Sequence, residues 1–293
     1  MEKKEWGLVL SGGGGKGAYQ IGVLKALDEL GIYNDIKMLS GSSVGALNSA
    51  LFLMDDTARA DKIWRSISPE QFIEADMDMI DGKEGLVSRE GLLRIIDKEL
   101  DLNRISADPR TTYVTLSQYD SSVPAVKYFM LNAGSPERIR KLLLASSAMP
   151  IIYEPVEIDG HIYKDGGVTD NTPIRPLYIE GIRHFIVVGL FTDCVIEEGS
   201  FPGAEFVLIK PEKSLGGLLS GSLDYSSEVA AKRIELGYLD AMRTFRYLGE
   251  DLKRQEIREQ RDMSAEHDYK RIDTQSMIDS DMKRINDLFA KYE

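Results

Sequence analysis

Residues 10–17 read LSGGGGKG, wedged between an apolar run, Trp6–Leu10, and a spaced set of apolar residues, Ile21, Leu24, Leu27 and Leu30. Glycine loses more backbone entropy on folding than any other residue. Four in a row therefore mark a place that requires bare main chain. The apolar run predicts a short buried strand, and the three-to-four spacing predicts a helix that Gly31 ends. The pattern returns at once. IKMLS (36–40) predicts a second strand, and GSSVGALNSALFLM (41–54) a turn running into an apolar helix. Strand, glycine turn and helix, twice in succession, specify a parallel α/β sheet with right-handed crossovers. Both glycine turns then emerge at the carboxyl edge of the sheet, where ligands bind.

Residues 55–110 are charged, Met-containing and helical in spacing, as in GLLRIIDKEL (91–100), and predict an inserted helical cap. TTYVTLSQYD and PAVKYFMLNA alternate like paired strands. SPERIRKLLLASSAMP predicts a helix with Ser135 as its cap and Pro136 in its first position. HFIVVGL (184–190) and EFVLIK (205–210) predict later buried strands. Beyond Tyr225, two sets recur at helical spacing: Ile234, Tyr238, Met242 and Phe245, then Ile278, Met282, Ile285 and Phe289. The densely charged residues 249–275 between them predict a solvated middle. The expected organisation is one α/β unit over 1–222, carrying the cap, with a C-terminal helical extension over 223–293 packed on it.

The 293 residues carry 36 Lys and Arg against 48 Asp and Glu, a formal charge of −12. An acidic surface argues against a nucleic-acid partner and against attraction to anionic lipid. The single cysteine, Cys194, excludes an intramolecular disulfide and predicts a reducing, cytoplasmic setting. No 18-residue apolar run predicts a transmembrane segment, and MEKKEWGLVL is too short in apolar residues for a signal-peptide core. DMDMIDG (76–82) departs from a calcium loop, because Ile80, Asp81 and Val87 occupy positions that need a ligand, glycine and glutamate. No metal and no cofactor is expected. SLGGLLSGS (214–222) reads either as a flap that touches lipid or as a loop folded onto the core. Trp6 and Trp64 read as packing residues.

Three chemistries compete for the first glycine loop. A phosphate-binding P-loop needs a hydroxyl residue where Ala18 and Tyr19 stand. A dinucleotide loop fits Gly12, Gly14 and Gly17, but it wants an acidic residue at the end of the next strand, and Asp35 precedes that strand. In the third reading the loop amides and the positive end of the following helix receive a transient oxyanion, each donor contributing about 3–4 kcal/mol. Here the glycines let main chain approach the substrate, and Lys16 adds charge or braces the loop. This reading needs a nucleophile. GSSVG (41–45) supplies one in Ser43, with Gly41 and Gly45 permitting the sharp strand-to-helix turn. Serine needs a base. His161, His184 and His267 sit in no special motif. Asp165, in YKDGGVTDNTPIRPL, stands at a turn where Gly166 and Gly167 allow another loop to come close. Its unperturbed pKa of ~3.9 makes it a weak base, and desolvation strengthens it. On their own these residues also fit a plain Gly/Ser turn and a turn aspartate, with Asn171 capping the next helix.

Taken together the motifs resemble the patatin-like phospholipase family. GGGGKG (12–17), GSSVG (41–45), ASSAMP (145–150), DGG (165–167) and DNTPIRPL (170–177) follow its order over roughly residues 5–212. The resemblance implies a three-layer α/β/α fold with a mostly parallel sheet. It implies a calcium-independent hydrolase of lipid acyl esters, working at a membrane surface without spanning it. Ser43 and Asp165 would form a dyad without histidine, and Gly13, Gly14 and Gly15 the oxyanion hole. Lys16, Gly17, Gly41, Gly45, Gly166, Gly167 and Asn171 would support them. The alternative is a catalytically inactive acyl-lipid-binding protein of the same fold; intact Ser43 and Asp165 argue against it.

Overall fold

The computed structural model describes residues 5–67, 90–150, 152–248 and 255–289. In chain order the strands are β1 (Trp6–Leu10), β2 (Ile36–Ser42), β3 (Thr111–Gln118), β4 (Ala125–Met130), β5 (Val156–Ile158), β6 (His161–Asp165), β7 (His184–Val188) and β8 (Glu205–Ile209). They join in one sheet ordered β5-β6-β3-β2-β1-β7-β8, with β4 also on β3. The pairs β1–β2, β1–β7, β2–β3 and β7–β8 are parallel; those of β4, β5 and β6 are antiparallel. β1 is buried on both faces, which is why its sequence is continuously apolar. Leu8 and Leu10 point into one core, and Val9 into a second beneath Ile174, Leu177 and Ile182. Two cores across one sheet make the three layers.

The helices are α1 (Ala18–Glu29), α2 (Val44–Leu53), α3 (Thr57–Ser66), α4 (Glu90–Glu99), α5 (Leu102–Ala107), α6 (Pro136–Ser146), α7 (Arg175–Ile179), α8 (Ser227–Tyr247) and α9 (Gln255–Phe289). Asp56, Asp101 and Ser135 accept from backbone amides at the starts of α3, α5 and α6. α1 leaves the glycine loop and crosses α8 at main-chain contact. A Cβ on Gly22 would stand 1.8 Å from Ile234 O, and one on Gly237 1.9 Å from Tyr19 O.

The register around β3 matters most for function. β4 pairs with residues 113–118 of β3, β2 with 111–115, and β6 with 116–118. A strand has two edges. With β4 along one of them, β2 and β6 share the other, end to end.

Two expectations need correction. From Gln255 on, the charged stretch 249–275 is not a solvated middle: α9 runs through 255–275, and Ala265, Tyr269 and Ile272 are buried. Charges there pair across the helices, Arg243 with Asp268, Lys232 with Asp273 and Arg271 with Glu235, so ion pairs flank the packed face that the apolar spacing did not reveal. Met282, expected in an apolar stripe, is exposed. The side chains of Ile278, Ile285 and Phe289 lie outside the described residues, as do 68–89 of the expected cap, DMDMIDG among them. Among the described residues no helix is long and apolar enough to cross a membrane.

Candidate active site

Ser43 occupies the point where β2 turns into α2, with φ 53° and ψ −123°. A non-glycine residue held there stores about 1–3 kcal/mol of strain. The flanking glycines make the turn possible. A Cβ on Gly41 would lie 2.3 Å from Gly45 O, and one on Gly45 2.0 Å from Leu10 O. The Ser43 amide donates to Ser146 Oγ at 3.0 Å, and Ser146 Oγ donates to Thr115 O at 2.9 Å. The last residue of α6 thus ties the turn to β3.

Ser43 Oγ donates to Asp165 Oδ2 at 2.6 Å. The carboxylate is fixed from behind: Gly167 N–H donates to Oδ1 at 2.8 Å, and the Asp165 amide donates to Ala148 O at 2.9 Å. Gly166 fits under Thr115 O, where a Cβ would stand 2.1 Å away. Asp165 is 5% exposed. Burial pushes its pKa up to about 6, against the opposing pull of the hydrogen bonds from Ser43 and Gly167. A hydroxyl bonded to a desolvated carboxylate can pass its proton as the oxygen attacks an electrophile.

The glycine loop lies beside this pair. Gly12 N–H donates to Asn171 O at 3.2 Å, and Asn171 Nδ2 donates to Gly12 O at 3.3 Å. Asn171 pins the loop and does not cap α7, whose capping position is Ile174. The structure adds a second reason for bare glycine. A Cβ on Gly14 (φ 58°) would lie 2.2 Å from Ser222 O, and one on Gly15 2.2 Å from Asp224 O. The main chain admitted so closely is the protein's own. SLGGLLSGS, which spans one wide helical turn at Leu218–Ser222, is the loop that packs there. Gly13 backs onto Leu190, and Gly17 onto Val44 and Trp64. Among the described residues, none accepts a hydrogen bond from the amides of Gly13, Gly14 or Gly15. Lys16 is buried, its stem against Gly221 and its ammonium 4.0 Å from the Phe191 ring centre. Burial and the nearby Arg233 lower its pKa.

A cavity opens from Ser43 and Gly14 between α2, α3 and α4, walled by Leu47, Leu51, Trp64, Ile95, Ile96, Met149, Tyr153 and Tyr225. Its polar Asn48 is spent on Gly17 O, Gln20 and the Trp64 indole N–H. Trp64 is therefore more than packing: it faces the cavity and stacks on Tyr225. Sequence reasoning missed Tyr225 and the role of Ser146; the ASSAMP segment carried the only signal for the latter. The histidines stand elsewhere. His161 bonds Asp120 and Gln118, His184 lies beside Glu205, and His267 is exposed beside Asp268. The Cys194 thiol is half-buried, and burial raises its pKa.

A family model described as patatin-like phospholipase matches residues 8–178. The chain belongs to that family. The matched region of this patatin-like chain contains the glycine loop, the Ser43 turn and Asp165, and it ends before Tyr225 and α8. The chain is similar to neuropathy target esterase sws of Drosophila melanogaster, 31% identical over 188 residues, which is 62% of this chain and 12% of that protein. It is similar to lysophospholipase NTE1 of Cryptococcus neoformans var. neoformans serotype D, 27% identical over 195 residues, 62% of this chain and 11% of that protein. The patatin-like chain thus spans a small part of the length of these relatives. Among solved structures, VipD from Legionella pneumophila aligns with a TM-score of 0.48 and 15% identity, over 83% of this chain and 67% of that one. The type III effector protein ExoU aligns with a TM-score of 0.47 and 17% identity, over 83% and 53%.

Proposed function

We propose that this chain hydrolyses fatty-acyl esters of lysophospholipids or related lipids through an acyl-serine intermediate. The observation that carries the reading is the 2.6 Å hydrogen bond from Ser43 Oγ to the buried Asp165 carboxylate at the floor of an apolar cavity. Asp165 accepts the hydroxyl proton while Ser43 Oγ bonds to the ester carbonyl carbon. The carbonyl oxygen takes up negative charge and is met by the free amides of Gly13, Gly14 and Gly15. Collapse breaks the ester bond, and the proton on Asp165 passes to the leaving alkoxide. Water, deprotonated by Asp165, then attacks the acyl-serine; the acyl–Oγ bond breaks, the proton on Asp165 passes to Ser43 Oγ, and fatty acid and free Ser43 result.

The apolar walls suit a hydrocarbon chain, worth about 0.8 kcal/mol per buried methylene. The names of the two relatives, an esterase and a lysophospholipase, support the same substrate class. In this reading residues 1–222 form the hydrolase unit, α3 and α4 roof the acyl cavity, and 223–293 is an extension that lends it Tyr225. Lipid is the partner and no cofactor takes part. The test is mass spectrometry of products after incubation with mixed lysophospholipids. Free fatty acid is expected from the wild-type protein and none from Ser43→Ala; equal release by both overturns the reading.

A further inference from the structure

We propose that Arg233, on α8 and outside the family-matched region, is a positioning residue that holds the glycine loop in its oxyanion-binding shape. The inference rests on Ser43 and Gly13–Gly15 acting as proposed above. Arg233 is 3% exposed. Nη1 donates to Asp224 O at 2.8 Å, and Nη2 donates to Leu215 O and Ser220 O, each at 3.1 Å. All three acceptors are main-chain carbonyls of one segment, 215–224. That segment carries Ser222 O and Asp224 O, the atoms that stand where Gly14 and Gly15 would bear a Cβ. One guanidinium therefore sets the path of the chain that sets the path of the glycines.

Arginine suits the task, because its planar fork fixes several donors at once. Without it three carbonyls lose their donor, Leu215 O in a buried setting and Ser220 O and Asp224 O in partly buried ones, and the segment is released from the loop. The amides of Gly13–Gly15 then lose orientation, while the apolar cavity keeps most of its walls. Transition-state stabilisation should suffer and substrate binding should not. Arg243 is the natural control. It is buried on the same helix, but it bonds Asp240 and Asp268 instead.

The experiment measures kcat and KM on nitrophenyl butyrate, with an unfolding midpoint for each variant, at a temperature where all are folded. Arg233→Gln is expected to lower kcat about 10- to 100-fold with KM within about twofold. Arg233→Lys, which keeps the charge but spans fewer acceptors, is expected to fall between. Arg243→Gln is expected to lower the midpoint while keeping kcat. Full kcat in the Arg233 variants, or an equal loss in Arg243→Gln, overturns the proposal and leaves the hydrolase reading standing. A wild-type protein without ester turnover and without fluorophosphonate labelling at Ser43 overturns both. Should Arg233→Gln not fold, Arg233→Lys decides alone.

Discussion

Ser42 and Asp165 pair with consecutive residues of β3, Thr115 and Leu116. One belongs to a parallel strand and the other to an antiparallel one, and the two strands meet head to head along a single edge. Ser43 follows Ser42 directly. The contact between Ser43 and Asp165, 122 residues apart in sequence, is thus set by sheet register rather than by a mobile loop.

The strain at Ser43 makes a prediction separate from catalysis. At φ 53° and ψ −123°, alanine keeps the penalty of a Cβ and glycine does not. Ser43→Ala and Ser43→Gly should both lose turnover. Ser43→Gly should be the more stable of the two by about 1 kcal/mol, after allowing for glycine's greater unfolded-state entropy. Urea melts of the two variants check this, and equal midpoints would contradict a strained turn.

Asp165 predicts opposite effects on activity and stability. Its working form is the carboxylate, and burial raises its pKa to about 6. kcat/KM should therefore be level above that pH and fall tenfold per unit below it. The folded state holds this proton more tightly than the unfolded chain, about 6 against 3.8. The contribution to stability is then fully present below 3.8 and lost as pH rises through 6. Asp165→Asn removes the buried charge, so at pH 8 it should be inactive yet more stable, by about 1–3 kcal/mol. The gain should shrink when the melts are repeated at pH 4.

Much of this was legible in the chain because it is local. The strand–glycine–helix pattern at Trp6–Leu27 and again at Ile36–Leu53 carries its own fold. Glycines beside Ser43 and Asp165 announce tight turns wherever they occur. What stayed hidden depends on residues far apart in sequence. Nothing near Gly14 indicates that Ser222 will press against it. Tyr19 donates to Asp240 across 221 residues, and Tyr269 joins the same carboxylate from a stretch whose charges read as solvent-facing. Trp64 looked like core because it is core on one side; only the neighbouring Tyr225 and α4 turn its other side into a cavity wall.

Gly14 and Gly31 allow a matched comparison. Both have positive φ, 58° and 73°. A Cβ on Gly31 meets nothing within 4 Å, whereas one on Gly14 meets Ser222 O at 2.2 Å. Gly31→Ala should cost only the conformational penalty, about 1–2 kcal/mol, with full activity. Gly14→Ala must also displace main chain, at about 1–3 kcal/mol more, and should lower kcat about 100-fold by moving an oxyanion donor. Similar kcat in the two variants would sever the link between loop shape and turnover.

The cavity makes the last prediction. Each methylene buried there contributes about 0.8 kcal/mol, or roughly fourfold in kcat/KM. Along a series of nitrophenyl esters from acetate to dodecanoate, kcat/KM should climb by that factor and then level off once the cavity is full. Ile95 on α4 is half-buried and lines the wall, so a larger side chain there grows into the space and shortens it. Ile95→Trp should move the plateau to shorter esters and leave the acetate ester unchanged, because Ser43, Asp165 and the glycine loop are untouched. A plateau at the same chain length in both proteins would mean that the acyl chain lies outside this cavity. Uniform loss on every ester, acetate included, would mean that Ile95 acts through the fold rather than through the chain it contacts.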